Sequence, residues 1–322
     1  MLKEIGCKIE SRHHRLSYPY YELFEKYTPD FAFRYLSNWE LLRRYFINRN
    51  VNFKIYNMNE MLAEKNTDTL FILGSNRSIN EVERQVWEKV KEFDTLGFNY
   101  WIYHEFVPKY FGFEYSRDPL VARYQQQIFK KRAADYANTI FLVSSRARRR
   151  GMSPRFIPEY FSLLPRVFYY THPQPIKCPD SRPFAPSDFE KTIYYRGSFN
   201  TYLHIAKLLQ YKRIVLLGCE MDTATSFYDE LPEAQWMYEI RGYLSGFGTG
   251  SKSFSKLFET IYKTKESKER FKYSVAYNSK GKHNIIKTIH AINDYVFKKE
   301  GIELFVFNKK SLLYPKVPLY EF

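Results

Sequence analysis

The sequence predicts an α/β fold with a Rossmann-like, mostly parallel sheet flanked by helices, on three observations. Thr69–Leu73 is a short apolar run that ends in the polar turn Gly74-Ser75-Asn76-Arg77-Ser78. Ile79, Val82, Val86, Val90 and Phe93 then recur at helical spacing, with charges between them. A second unit of the same kind has Tyr202, Ile205, Leu208 and Leu209 on one helical face, then the strand Ile214–Leu217 and Gly218-Cys219-Glu220-Met221-Asp222. Near the C-terminus, Ile285, Ile286, Ile289, Ile292 and Val296 mark a helix over 285–297, followed by a strand at Ile302–Phe307. Strands that alternate with helices pair in parallel, and ligands of such sheets bind at the carboxyl ends of the strands.

The remaining elements are placed around these. Residues 1–68 read as a mostly helical N-terminal extension, with Leu41, Leu42, Tyr45 and Phe46 as an apolar stripe and Val51–Tyr56 as a short strand. Ile140–Val143 is a further strand. Five prolines between Pro173 and Pro186 mark an irregular loop or junction. No internal repeat or low-complexity tract interrupts the pattern.

Composition bounds the function. With 322 residues, 44% hydrophobic and 19% aromatic, the chain can bury a large core, which excludes wholesale disorder. A formal charge of +15 favours an anionic partner: a nucleic acid, an anionic membrane surface or an acidic small molecule. No helix-turn-helix, RNA-recognition or zinc-finger signature is present, so DNA is not expected as a partner. Cys7, Cys178 and Cys219 lie far apart, which argues against a disulfide scaffold or a structural zinc site. No run approaches the roughly 20 apolar residues of a spanning helix. The N-terminal residues, Met1 to Gly6, lead into charge and histidine in place of an apolar signal core. The expectation is a soluble cytoplasmic protein, with any membrane contact peripheral and on the inner face.

Four motifs carry the candidate chemistry. The Gly74 turn lacks the Gly-x-Gly-x-x-Gly fingerprint and the Gly-Lys-Ser/Thr of a P-loop, yet it can offer backbone N–H groups and a helix start to an anion. An ordinary strand-to-helix turn capped by Ser78 would read the same way. His283 follows Ser279-Lys280-Gly281-Lys282 just before a helix, where a histidine can act as a general base or be a plain surface residue. His290, two turns on, has no independent case, and His13-His14 have no companions at ligand spacing, so no metal site is expected. The basic cluster Arg146, Arg148, Arg149, Arg150 and Arg155, together with 15 Lys/Arg against 7 Asp/Glu over 251–322, suits a phosphorylated saccharide or an anionic lipid surface.

Taken together, three segments resemble the bacterial sialyltransferases of glycosyltransferase family 42 and the wider sialyltransferase-like set. Gly74-Ser75-Asn76-Arg77-Ser78-Ile79 stands where the family has Gly-Asn-Gly-Pro-Ser-Leu, keeping the first Gly and the Ser and losing the second Gly and the Pro. Asn99, in Gly97-Phe98-Asn99-Tyr100, matches a family Asn that contacts the nucleotide. Gly197-Ser198-Phe199 matches a Thr-Ser-Gly turn. Gly218-Cys219-Glu220-Met221-Asp222 then matches Gly-Ile-Asp-Phe-Tyr, with Glu220 at the family Asp and Asp222 in place of the first phosphate-binding Tyr. Tyr228 stands at the second. His283 stands at the catalytic His, before a helix, a strand and Asn308-Lys309-Lys310-Ser311-Leu312-Leu313, where the family has Pro-Asn-Ser-Leu-Leu.

The resemblance covers roughly 69–318 in patches and implies a sialyltransferase-like variant of the GT-A fold. It implies a catalytic domain over 69–322 with a lid-like acceptor-side region at 223–282. It implies transfer of sialic acid or a related ulosonic acid from a CMP-sugar donor to a saccharide or glycolipid acceptor, as in lipooligosaccharide or capsule synthesis. His283 would be the general base, and Tyr228 with Ser198 would meet the leaving phosphate. Gly74, Ser75, Asn76, Ser78, Asn99 and Glu220 would hold the nucleotide. No metal and no cofactor beyond the donor is implied, in keeping with the lack of an Asp-x-Asp motif. Relatives of this fold often form homo-oligomers. Two other readings stand beside it: a pterin diphosphokinase-like or flagellin-modifying protein of the same fold, and a non-catalytic module that binds anionic glycan or RNA.

Overall fold

The computed structural model describes residues 54–113, 127–144, 166–170, 176, 182–190, 192–195, 198–221, 226–228, 231 and 284–322. In chain order the elements are β1 (Lys54–Tyr56), α1 (Met58–Ala63), β2 (Thr69–Leu73), α2 (Arg84–Val90), β3 (Asp94–Phe98), β4 (Tyr110–Phe113), β5 (Ile140–Ser144), β6 (Arg166–Tyr170), α3 (Ser198–Leu208), β7 (Arg213–Leu217), α4 (Ile285–Ile292) and β8 (Glu303–Val306). The chain forms two compact units, one from residues 1–57 and 111–172, the other from 58–110 and 173–322. Within the larger unit the strand order is β3-β2-β7-β8. Its paired strands are parallel, in the register Leu73↔Gly97, Leu73↔Leu217 and Leu216↔Val306. In the smaller unit the order is β1-β6-β5-β4, with β1–β6 and β5–β6 parallel. The α/β, Rossmann-like class expected from the sequence is what this topology shows.

Burial explains the strand sequences. Parallel strands covered on both faces read as continuous apolar runs, and all five residues of β2 are buried. In β7 only Arg213, at its start, is exposed. Phe71 is fully buried between the rings of Phe93, Tyr320 and Phe322, at centroid distances of 5.3, 5.4 and 6.0 Å. Burying such a ring stabilises the fold by about 1.5–3 kcal/mol. In the smaller unit the rings of Phe111, Phe129, Tyr136 and Phe141 cluster at 5.6–6.3 Å, edge-to-face except for the tilted Tyr136–Phe141 pair. Burial there pushes the Tyr136 phenol well above its ordinary range.

At the amino end of the β2–β3 pair, Asp94 is buried with three donors around it. Lys109 Nζ donates to Oδ1 at 2.6 Å, and Asn66 N and the Tyr211 hydroxyl donate to Oδ2 at 2.9 and 2.7 Å. Lys109 also donates to the Glu64 carbonyl. A carboxylate with its partners supplied in this way is tolerated inside, and a vacancy among them is costly. Burial, with Tyr110 and Asp94 beside it, pushes the Tyr211 phenol far above its ordinary range.

Two helices depart from the expected spans. The run from Ile79 to Phe93 forms a 3-10 turn, Arg77–Glu81, and then α2, because Val82 and Glu83 are extended (ψ 118° and 149°). Asn76, not Ser78, is the cap: its side chain accepts from Ser78 N. The expected helix over 285–297 stays α-helical to Ile292 and continues as a π turn, Asn293–Phe297. Gly301, at φ 68°, then ends the segment in the left-handed conformation, and Ile302 N closes back on the Phe297 carbonyl at 2.8 Å. Strands β4 and β6 were not expected. The stripe at 41–46 and the arginines at 146–155 lie outside the described residues, as does almost all of 223–282.

His290, on α4, is half-buried. Burial first, then the Lys316 ammonium, holds its pKa below the ordinary 6.5, against the pull of Asp294. The unfolded chain therefore takes up the proton more readily, so the stability this site contributes is full above pH 6.5 and is lost as pH falls below it. His290→Gln is expected to flatten the loss of melting temperature between pH 8 and pH 5. An unchanged slope would show that other groups govern it.

Candidate functional site

The chain moves from β2 to β3 in one direction along the sheet, while β7 and β8 lie on the other side of β2. The carboxyl ends of β2 and β7 therefore form the switch point where open α/β sheets bind ligands. Two glycine turns meet there. Gly74 N donates to the Leu217 carbonyl at 2.7 Å, and Asn76 N to the Gly218 carbonyl at 3.0 Å. A Cβ on Gly74 would lie 2.2 Å from the Gly218 carbonyl oxygen and 2.5 Å from Cys219 Sγ. Gly218, at φ 72°, would press a Cβ to 2.5 Å from Ile79 Cδ1. Only glycine allows both approaches.

The 226–228 segment is fastened to the same turn. Asn76 and Ser226 form an antiparallel bridge, Phe227 N donates to the Ser75 carbonyl at 3.0 Å, and Asn80 Nδ2 donates to the Phe227 carbonyl at 3.2 Å. These bonds bring the 226–228 segment, with Tyr228 at its end, against Ser75 and Asn76, residues about 150 positions earlier in the chain. Asn76 Oδ1 accepts from Ser78 N at 3.0 Å. Ser75, Asn76, Ser78 and Tyr228 are partly exposed, and Gly74 is buried.

From the neighbouring strand end, a 3-10 turn, Asn99–Tyr103, begins with Asn99 at φ 55°. Asparagine is among the few residues that adopt this conformation readily. Met221, just past Glu220, is also left-handed, at φ 61°. For Met221, unlike Asn99, the left-handed conformation is costly and is held by the surrounding fold. Tyr100 and Tyr103 put their rings 5.3 and 6.0 Å from that of Tyr228. Beneath them Trp101 stacks on His104 at 4.5 Å, and Phe227 meets both rings at 5.4 Å.

Glu220 is only 3% exposed, and its backbone carbonyl accepts from Leu312 N at 2.9 Å, which ties the 308–313 segment to the same edge. Burial first, and Glu220 second, push the Cys219 thiol well above its ordinary range. Cys219 is therefore a packing residue here, without thiolate character at neutral pH. Ser198 begins α3, whose Phe199 and Tyr202 rings meet Phe98, at the end of β3, at 6.3 and 4.7 Å. His283 and Asp222 lie outside the described residues. The adjacent Asn284 is the cap of α4, its side chain accepting from Lys287 N at 2.8 Å.

The structure thus gathers Gly74, Ser75, Asn76, Ser78 and Tyr228 directly, with Asn99 reached through Tyr100 and Glu220 through the Gly218 turn. Reading the sequence missed Tyr100 and Tyr103. They lie in the 3-10 turn that begins at Asn99, a position that carries little signal by itself. Among the described residues, no group of three or more His, Cys, Asp or Glu is placed to hold a metal ion. No helix among them is long and apolar enough to cross a membrane.

The fold and this edge define an α/β protein with a polar, tyrosine-rich switch point. Neither a protein-family model nor a curated protein sequence matches the chain. Among solved structures, it is similar to the monofunctional alpha-2,3-sialyltransferase Cst-I from Campylobacter jejuni, with a TM-score of 0.41 and 13% identity over 80% of this chain and 81% of that one.

Proposed function

We propose that the chain is a glycosyltransferase that moves sialic acid or a related ulosonic acid from a CMP-activated donor to a saccharide acceptor of a surface glycan. The observation that carries the reading is the meeting of the Gly74 turn, Asn76 and Tyr228 at the β2/β7 switch point. These are residues whose order in the sequence resembles a CMP-sugar site. Gly74, Ser75, Asn76, Ser78 and Asn99 hold the nucleotide, with Glu220 below them.

In the reaction, the acceptor hydroxyl oxygen attacks the anomeric carbon and passes its proton to His283. The bond from that carbon to the phosphate oxygen breaks, and its electron pair leaves with CMP. Tyr228 and Ser198 donate hydrogen bonds to the departing phosphate, where charge grows in the transition state. No metal and no further cofactor takes part in this reading. The domain over 69–322 would carry the reaction, and the acceptor in this reading is a saccharide or glycolipid.

His283→Ala is expected to lower transfer from CMP-sialic acid by about 10²–10⁴-fold, the usual contribution of a general base, while CMP binding stays near that of the parent chain. Transfer at the parent rate would remove His283 as the base. Transfer from no CMP-sugar by the parent chain would remove the reading.

A further inference from the structure

We propose that Asn80 is a positioning residue that sets Tyr228 in place by clasping the peptide before it, an inference that rests on the CMP-sugar reading above. Asn80 is an exposed residue of the 3-10 turn Arg77–Glu81, which follows the Gly74 turn directly. Its Nδ2 nevertheless donates to the Phe227 carbonyl at 3.2 Å, across 147 residues of chain. The turn itself does not require asparagine there. Asn76 is its cap, and Asn80 is not among the residues with a left-handed backbone. An exposed side chain also gains little by packing. What the amide brings to this position is the bond to Phe227.

Phe227 is held at each of its groups. Its N–H donates to the Ser75 carbonyl at 3.0 Å, and its ring, 5.4 Å from both Trp101 and His104, leaves the residue 3% exposed. Its carbonyl is the group that Asn80 clasps. A peptide unit is planar, so the Phe227 carbonyl and the N and Cα of Tyr228 move as one body. Fixing that carbonyl fixes where Tyr228 starts. Past it, the Tyr228 carbonyl accepts from Leu231 N at 3.0 Å, which turns the chain back. The Asn80 bond therefore keeps one spacing between the turn proposed to hold the nucleotide and the phenol proposed to meet its phosphate. A donor lowers the barrier most when it is set in place before the charge develops.

The test uses Asn80→Leu, which keeps the bulk of the side chain and removes its donor without adding charge, and Asn80→Ala. Each is made in the full chain and again in the Tyr228→Phe background. CMP and cytidine affinities are measured by calorimetry, and transfer from CMP-sialic acid by initial rates. Each Asn80 variant is expected to lower kcat about tenfold and to weaken CMP binding about threefold, with cytidine affinity unchanged. The melting temperature is expected to stay within about 2 °C of the parent's. In the Tyr228→Phe background the same substitution should add less than about twofold, because both changes remove one interaction. An Asn80 effect as large in that background as in the parent would overturn the assignment, since Asn80 would then act elsewhere. So would a parent-like kcat, or an equal loss for cytidine, which a merely structural role predicts. A parent chain that neither binds CMP nor transfers from a CMP-sugar would overturn the functional reading and this inference together. A parent that does both, with unaltered Asn80 variants, would remove Asn80 alone.

Discussion

Gly74→Ala is expected to destabilise the fold by about 3 kcal/mol or more, at the upper end of what overpacking costs. The added methyl would sit 2.2 Å from a backbone carbonyl oxygen and 2.5 Å from Cys219 Sγ. Neither is the loose end of a flexible side chain, because Gly218 belongs to the opposing turn and Cys219 is buried. Relief requires the two turns to part, which breaks the 2.7 Å bond from Gly74 N to Leu217 and the 3.0 Å bond from Asn76 N to Gly218. Denaturant titration with an unchanged slope would measure the loss. A cost under about 1 kcal/mol would mean that the turns are not held as closely as described. The same variant is expected to lose nucleotide binding even where it remains folded, since the turn it parts is the proposed site.

Asp94→Ala carries the second large effect, about 3 kcal/mol, because it leaves the part-buried Lys109 ammonium without its carboxylate. The Asp94 side chain is 1% exposed and that of Lys109 18%. Removal also strips the acceptor from Asn66 N and from the Tyr211 hydroxyl. Asp94→Asn keeps the shape and one acceptor oxygen and is expected to cost less. This network sits at the amino end of β3, whereas Gly74 lies past the carboxyl end of β2. Folded Asp94→Ala protein should therefore keep the parent's CMP affinity. Loss of stability below about 1 kcal/mol would show that Lys109 and Tyr211 find other partners at little cost.

These two sites differ in how far the sequence revealed them. The strands β2 and β7 were legible because both are buried on two faces and read as unbroken apolar runs ending in Gly74 and Gly218. The turns were legible as punctuation, whereas Asn99 was placed by resemblance. The contact between Tyr228 and the Gly74 turn was not legible as geometry. It depends on a bridge between Asn76 and Ser226, and local periodicity carries no record of pairing over that separation. Resemblance alone put Tyr228 in the site. Tyr100 and Tyr103 were hidden for the opposite reason: in a chain with 29 Tyr, two more beside a strand end carry little signal until their neighbours are known.

The Asp94 network was hidden as well. An acidic residue between Phe93 and Thr95 reads as a polar strand start, and its partners come from positions 66, 109 and 211. The interruption of the Ile79–Phe93 helix lies at Val82 and Glu83, whose extended backbone leaves the apolar spacing on either side unchanged, and the cap was read at Ser78 where Asn76 holds it. Both residue types cap well, so only the backbone path decides.

The most direct test of the central claim, that the β2/β7 switch point holds a cytidine nucleotide, is a calorimetric titration of the full chain with CMP, GDP and ATP at physiological salt. Saturable binding of CMP, with no comparable response to GDP or ATP, is the expected result. Silence toward CMP would contradict it, as would weak binding of all three that fades together as salt rises, the mark of a merely basic surface.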